Sequence, residues 1–141
     1  MVRTYNSYKE LDRAHQDDIS RFPMTFIFGR KSEEELTECL SKIGAKSLEE
    51  CVSINCGGII RKVDKDRWLG LCKLHREEKV LFFQDDNHLV DAFVCEMNNH
   101  EYAYTGEYDD VLEALGFEEK DLQVERIRKA FNKASKKVLG V

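Results

Sequence analysis

The run Asn98-Asn99-His100-Glu101-Tyr102 holds the densest set of side chains able to move a proton. His100 beside Glu101 or Glu96 could work as an acid–base pair. No nucleophile or oxyanion hole lies beside it in the sequence. The same residues also suit a structural role: Asn99 fits a helix end, and His and Tyr can bond backbone carbonyls to fix a turn. A second candidate is Gly57-Gly58, followed by Arg61. Amides in a glycine-rich turn can cradle an anion, yet the pattern matches neither G-x-x-x-x-G-K-[ST] nor G-x-G-x-x-G, and a tight hairpin turn also explains it. Gly57, Gly58, Arg61, Asn99, His100, Glu101 and Tyr102 therefore form one possible ligand site. His75, His88 and His100 with Cys72, Cys95, Glu96 and Glu101 could be assembled into a metal site. The sequence has no C-x-x-C pair, and zinc sites draw on closely spaced ligand pairs. The expectation is no metal and no cofactor.

Charge is the stronger signal. Residues 84–121 carry 12 acids against the single base Lys120, net −11 in a chain whose total is −5. The first 83 residues have 15 bases and 14 acids, and the last 20 have 6 bases and 1 acid. Such a segregated field selects a basic partner. Asp85, Asp86, Glu107, Asp109, Asp110 and Glu113 are the expected partner-binding residues. The C-terminal lysines alternate with a clean apolar face, and the neighbouring acid repels phosphate, so no nucleic acid is expected.

The elements that must position these residues follow from periodicity. Ser7 and Glu10, and again Ser32 and Glu35, make the S-x-x-E pattern of a helix start. Tyr8, Leu11, His15, Ile19 and Phe22 form one helical face ending before Pro23. Leu36, Cys39, Leu40 and Ile43 form another, stopped at Gly44. Met24 to Phe28 reads as a strand buried on both faces. Cys51–Ile54 and Ile59–Lys62 read as a hairpin around Asn55-Cys56-Gly57-Gly58. Asp64 caps a helix with the stripe Trp68, Leu71, Cys72 and His75. Further helices are expected over about Asn87–Asn98, over Tyr108–Leu115 stopped by Gly116, and along Ile127, Ala130, Phe131, Ala134 and Val138. Tyr102–Tyr104 is a candidate edge strand.

The expected fold class is therefore α+β: a small, mainly antiparallel sheet covered by several helices. Trp68, Phe26, Phe28, Phe93, Leu112 and Phe131 should be core. The 141 residues make one domain the expectation. No apolar run approaches the roughly 20 residues of a membrane span, and Met1–Glu10 lacks an apolar signal region. A cytosolic location follows, with the five cysteines kept as thiols.

Several of these segments also resemble a known family. Phe22-Pro23-Met24 with Phe26 and Phe28, Val52-Ser53-Ile54, Gly57-Gly58, Ile60-Arg61-Lys62, Asn99-His100-Glu101-Tyr102 and Val111-Leu112-Glu113-Ala114-Leu115-Gly116 are similar to a family of small uncharacterised proteins of phages, prophages and other bacterial mobile elements. The resemblance spans roughly Phe22 to Phe117 and departs at Cys56, where the family tends to have another glycine. It implies no activity. It does imply an accessory protein of a mobile element, of a kind that often binds and blocks a host protein, defence nucleases included. The balance is against an enzyme and for a protein-binding module with an acidic surface. The alternative is a small enzyme or ligand-binding protein centred on His100, Glu101 and the Gly57-Gly58 turn.

Overall fold

In a computed structural model, which describes residues 1–54 and 57–141, the chain forms α1 (Tyr8–Arg21), α2 (Glu33–Ser41), β1 (Cys51–Ser53), β2 (Ile59–Arg61), α3 (Lys65–Phe82), α4 (Asp86–Asn99), the one-turn α5 (Tyr102–Thr105), α6 (Asp109–Leu115) and α7 (Glu125–Leu139). Short 3-10 turns precede β1, α3 and α7. The class is α+β, with helix dominant. The chain divides into two compact units, Met1–Ala14 with Arg76–Val141 and the continuous His15–His75.

Both expected helix starts use their serine. Ser7 Oγ accepts from the Glu10 N–H at 3.2 Å, and the Glu10 carboxylate reaches back to the Asn6 N–H at 2.8 Å. Ser32 Oγ accepts from the Glu35 N–H at 3.2 Å. Such side chains satisfy amides that the first helical turn leaves without partners. Gly44 follows α2 with φ +75, a conformation that carries little steric penalty only without a Cβ.

In unit His15–His75, β1 and β2 pair antiparallel with Cys51 opposite Arg61 and Ser53 opposite Ile59. The expected hairpin is therefore present; Asn55 and Cys56 of its turn lie outside the described residues. Gly58 is glycine for a packing reason: a Cβ there would lie 2.6 Å from Met24 Sδ. One small core gathers Phe22, Ile60 and Trp68, with Phe22 edge-on to Trp68 at 5.2 Å. A second gathers Leu40, Ile43 and Ala45. His15 and His75 stack at 3.8 Å, and His75 Nε2 lies 2.9 Å from Asp18 Oδ2.

Unit Met1–Ala14 with Arg76–Val141 holds the larger core. Leu89, Ala92, Phe93 and Met97 of α4, Val111, Leu112 and Leu115 of α6, and Ala130 and Ala134 of α7 pack around Tyr8, Leu11, Phe82 and Phe83. Phe131 is half-buried and meets Phe93, Tyr102 and Tyr108 edge-on. α6 stops at Gly116 in the left-handed conformation, as its position implies.

Three expectations need correction. Met24–Phe28 is not a strand buried on both faces: only Thr25 bridges to β2, at Ile59, and Phe26 and Phe28 are exposed. Met24 and Ile27 pack against the two small cores and Thr25 is buried, whereas Phe26 and Phe28 find no core to enter. Phe26 and Phe28 are accordingly not core. Tyr102–Tyr104 is helical, not an edge strand. Glu101 takes a left-handed conformation (φ 55) that ends α4, and Gly106 closes the next turn by donating to the Tyr102 carbonyl at 2.8 Å.

The N-terminal segment is tied to α3 by a buried carboxylate. Glu78 has no solvent exposure and accepts from the Arg3 backbone N–H at 2.8 Å, from Arg3 Nε at 2.8 Å and Nη2 at 3.1 Å, and from the Tyr5 hydroxyl at 2.8 Å. A desolvated carboxylate is tolerable only with such donors. Arg3→Ala should lower stability by about 2–3 kcal/mol, a buried-pair loss discounted for the partial exposure of Arg3. Adding Glu78→Leu should recover part of it. Denaturant unfolding of the single and double variants checks both outcomes.

Candidate functional site

The unit Met1–Ala14 with Arg76–Val141 contains most of the expected site residues, and α4 organises them. Asp85 caps α4, its Oδ1 accepting from the Asn87 N–H at 2.8 Å and the His88 N–H at 3.1 Å. Those amides, led by His88, hold the Asp85 carboxyl below its ordinary range. Asp86, in the first turn, forms an ion pair with Arg126 of α7, whose guanidinium also reaches the Phe83 carbonyl. Asp91 accepts the Tyr8 backbone N–H at 2.8 Å.

Glu96 lies on the inner side of α4 and is buried. Its Oε1 accepts from the Tyr8 hydroxyl at 2.9 Å and from Asn99 Nδ2 at 3.3 Å, while His100 Nε2 lies 3.3 Å from Oε2. Asn99 and His100 can reach it because residues three and four apart share a helix face. Burial, and then the Glu96 charge, push the Tyr8 hydroxyl far up. It therefore stays protonated and acts as a fixed donor. A cleft of about 520 Å³ opens beside it, lined by Tyr8, Asp12, Asp91, Cys95 and Asn99 among others. Burial, with Asp91 next, raises the Cys95 thiol to about 11. That thiol is unactivated at neutral pH.

The run from Asn98 to Tyr102 is thus shared among separate partners. Asn99 and His100 meet on Glu96, and the Tyr102 hydroxyl lies 3.0 Å from Ser135 Oγ. Glu101 is exposed and serves the chain through its backbone. Gly57, Gly58 and Arg61 belong to the other unit. There Gly57 has φ +83, Gly58 is packed against Met24, and Arg61 Nε donates to Asp64 Oδ2 at 3.0 Å. Among the described residues no three His, Cys, Asp or Glu side chains are placed to hold a metal ion. No buried side-chain polar atom among them lacks a partner.

Ten of the acid-rich segment's 12 acids separate into three groups; of the other two, Glu119 accepts from the Tyr108 hydroxyl at 2.8 Å and Glu101 is exposed. Asp91 and Glu96 satisfy an amide and a hydroxyl within the fold, and the exposed Asp85 caps α4. Asp121 accepts the Glu118 N–H at 2.7 Å. Asp86 and Glu118 are paired, with Arg126 and Lys120. Glu107, Asp109, Asp110 and Glu113 remain exposed. No ion pair joins these four to any described residue. In α6 the residues Val111, Leu112 and Leu115 are buried. Positions 109, 110 and 113 are therefore left together on the outer face by the three- and four-residue spacing.

The expected pairing of His100 with Glu96 is present, but the burial of Glu96 under the Tyr8 hydroxyl, and Glu78 with its donors Arg3 and Tyr5, escaped the sequence reading. A signal was present. Glu78 falls in step with Leu71, His75 and Phe82, and Glu96 in step with Leu89 and Phe93. A carboxylate at core spacing marks a buried site that must find partners elsewhere.

The molecule is an α+β protein whose larger unit carries a buried carboxylate cluster and an outer row of unpaired acids. It belongs to a family of unknown function, DUF7659, which matches residues 7–137. No curated protein and no solved structure matches the chain.

Tyr8→Phe should cost about 1–2 kcal/mol, because Glu96 loses one of its buried donors; chemical denaturation reads this. Asp85 supplies a pH test. Its folded pKa lies below its unfolded value, so its stabilisation is present above the unfolded pKa, near 3.9, and is lost as pH falls through the folded value. Asp85→Asn preserves a good cap. It should leave the melting temperature at pH 7 nearly unchanged and make the decline below about pH 4 shallower.

Proposed function

We propose that this protein is a non-enzymatic binding module that engages a basic surface on a partner protein through Glu107, Asp109, Asp110 and Glu113. The supporting observation is the outer face of α6, where exposed carboxylates have no counter-ion among the described residues. Glu101 and Glu107 extend the exposed acid along the preceding chain. Holding like charges together without partners costs the folded state electrostatic self-repulsion. A cationic surface relieves that cost and is drawn in by long-range attraction. Asp85 contributes its negative charge from the α4 cap, whereas Asp86 contributes little while Arg126 neutralises it.

Further support comes from what the larger unit lacks as catalytic equipment. The Tyr8 hydroxyl stays protonated and the Cys95 thiol is unactivated, so neither is a ready nucleophile beside the His100–Glu96 pair. The resemblance to mobile-element proteins favours an accessory role in the bacterial cytosol, in which the module occupies and blocks a host protein, such as a defence nuclease whose basic cleft normally meets nucleic acid.

The triple variant Asp109→Asn, Asp110→Asn, Glu113→Gln tests the reading. Against a host protein captured by the wild type, it should lower the association rate at least about tenfold at low salt and flatten the salt dependence, with a smaller change in dissociation rate. Surface plasmon resonance across a salt series measures all three. Unchanged association at low salt would reject the acidic face as the contact.

A further inference from the structure

Gly70 stands inside α3, well away from either end. Glycine in a helix interior is less stable than alanine, because it surrenders more backbone freedom on folding. Two common structural reasons for accepting that cost are missing here. Gly70 is not among the glycines with positive φ, and a Cβ built on it would meet nothing within 4 Å. Neither the backbone nor the packing of unit His15–His75 therefore requires a glycine at this position. The missing side chain leaves space.

That space belongs to a groove of about 390 Å³ between the last turn of α1 and residues 67–74 of α3, all within this unit. Phe22, Leu71 and Leu74 supply its apolar lining. The Phe22 ring is fixed, edge-on to Trp68 and with the Arg67 guanidinium 5.0 Å from its centroid. The charged groups around the groove are unequal. Asp18 is engaged by His75 Nε2 at 2.9 Å, and Arg67 by Asp64 at 3.4 Å. Arg21 is exposed, and no ion pair joins it to any described residue.

We propose that this groove binds a small aliphatic carboxylate, a chain on the order of ten carbons long with one anionic end. The chain lies along Phe22, Leu71 and Leu74, over the gap at Gly70, and the carboxylate meets Arg21. A guanidinium suits that role because its planar fork holds both carboxylate oxygens at once. The stem of Arg67 adds apolar cover while its own charge stays with Asp64. The volume lies near the lower end of the roughly 300–1,000 Å³ typical of small-molecule sites, which suits one short chain. The apolar lining supplies the attraction, and the unpaired cation selects the sign of the ligand's charge. An open groove leaves part of the chain in water. Binding is therefore weak, with a dissociation constant on the order of 100 μM. The site lies in the unit that does not contain α6, and it stands independently of the acidic face.

Titration of the full chain with decanoate at pH 8, followed by amide NMR, tests the site. Shifts should concentrate at Arg21, Phe22, Gly70, Leu71 and Leu74 and approach saturation near about 1 mM, tenfold above the dissociation constant. Gly70→Leu fills the groove and should weaken binding at least about tenfold. Arg21→Gln should also weaken it about tenfold, with circular dichroism unchanged. Decylammonium, the same chain with the opposite charge, should bind at least about tenfold more weakly than decanoate. Gly70→Ala should raise the melting temperature, since the fold loses nothing by it and the helix gains. Shifts scattered over the surface without saturation, decylammonium binding as well as decanoate, or an affinity unchanged in Gly70→Leu or Arg21→Gln would each overturn the proposal. So would a Gly70→Ala variant that melts lower than the wild type, because the glycine would then serve the fold.

Discussion

Two carboxylates occupy places where helices would ordinarily bury carbon. Glu78 and Glu96 each sit in the larger unit away from water, and neither could stay charged there alone. Their donors come from the opening stretch of the chain: Arg3 and Tyr5 for Glu78, Tyr8 for Glu96. The stretch from Arg3 to Tyr8 is therefore held in place. Its placement is dictated by the free-energy cost of leaving either carboxylate without partners. The position of α1's first turn, and with it Tyr8 and Leu11 in the core, follows from that demand.

The acid-rich segment, uniform in sequence, is heterogeneous in use. Helix geometry decides the roles. An acid at a helix start takes up free amides, as Asp85 does. An acid in step with the apolar stripe is drawn inward, as Glu96 is. One beside a basic helix is neutralised, as Asp86 is by Arg126. What remains outward is the stretch around α6, where the apolar residues are few and the acids are pushed to one face. A net charge read from the sequence thus overstates the field that a partner would meet.

Much of the architecture was legible because it rests on local rules. Ser7 and Ser32 marked helix starts, Gly44 and Gly116 marked ends, and the spacing of Leu89, Phe93 and Met97 marked a buried face. The errors arose where the outcome depends on distant partners. Met24–Phe28 has the composition of a central strand, yet it bridges β2 at one residue and leaves alternate rings outside. Tyr102–Tyr104 alternates like a strand, yet a left-handed Glu101 and Gly106 fold it into one helical turn. Both carboxylate clusters were hidden for the same reason: each needs a donor separated from its acceptor by more than 70 residues.

That separation bears on how the polypeptide matures at the ribosome. His15–His75 is one uninterrupted stretch, so its small cores can assemble as soon as it clears the exit tunnel. Met1–Ala14 emerges earlier still, but its carboxylate partners Glu78, Asp91 and Glu96 are translated only later, and α7 follows them. The larger unit cannot be complete until α7 has been translated, because its two pieces bracket the other in sequence. Loop closure over that span is slow relative to local helix formation, which makes the docking of Met1–Ala14 on Glu78 and Glu96 slower than the formation of the helices themselves.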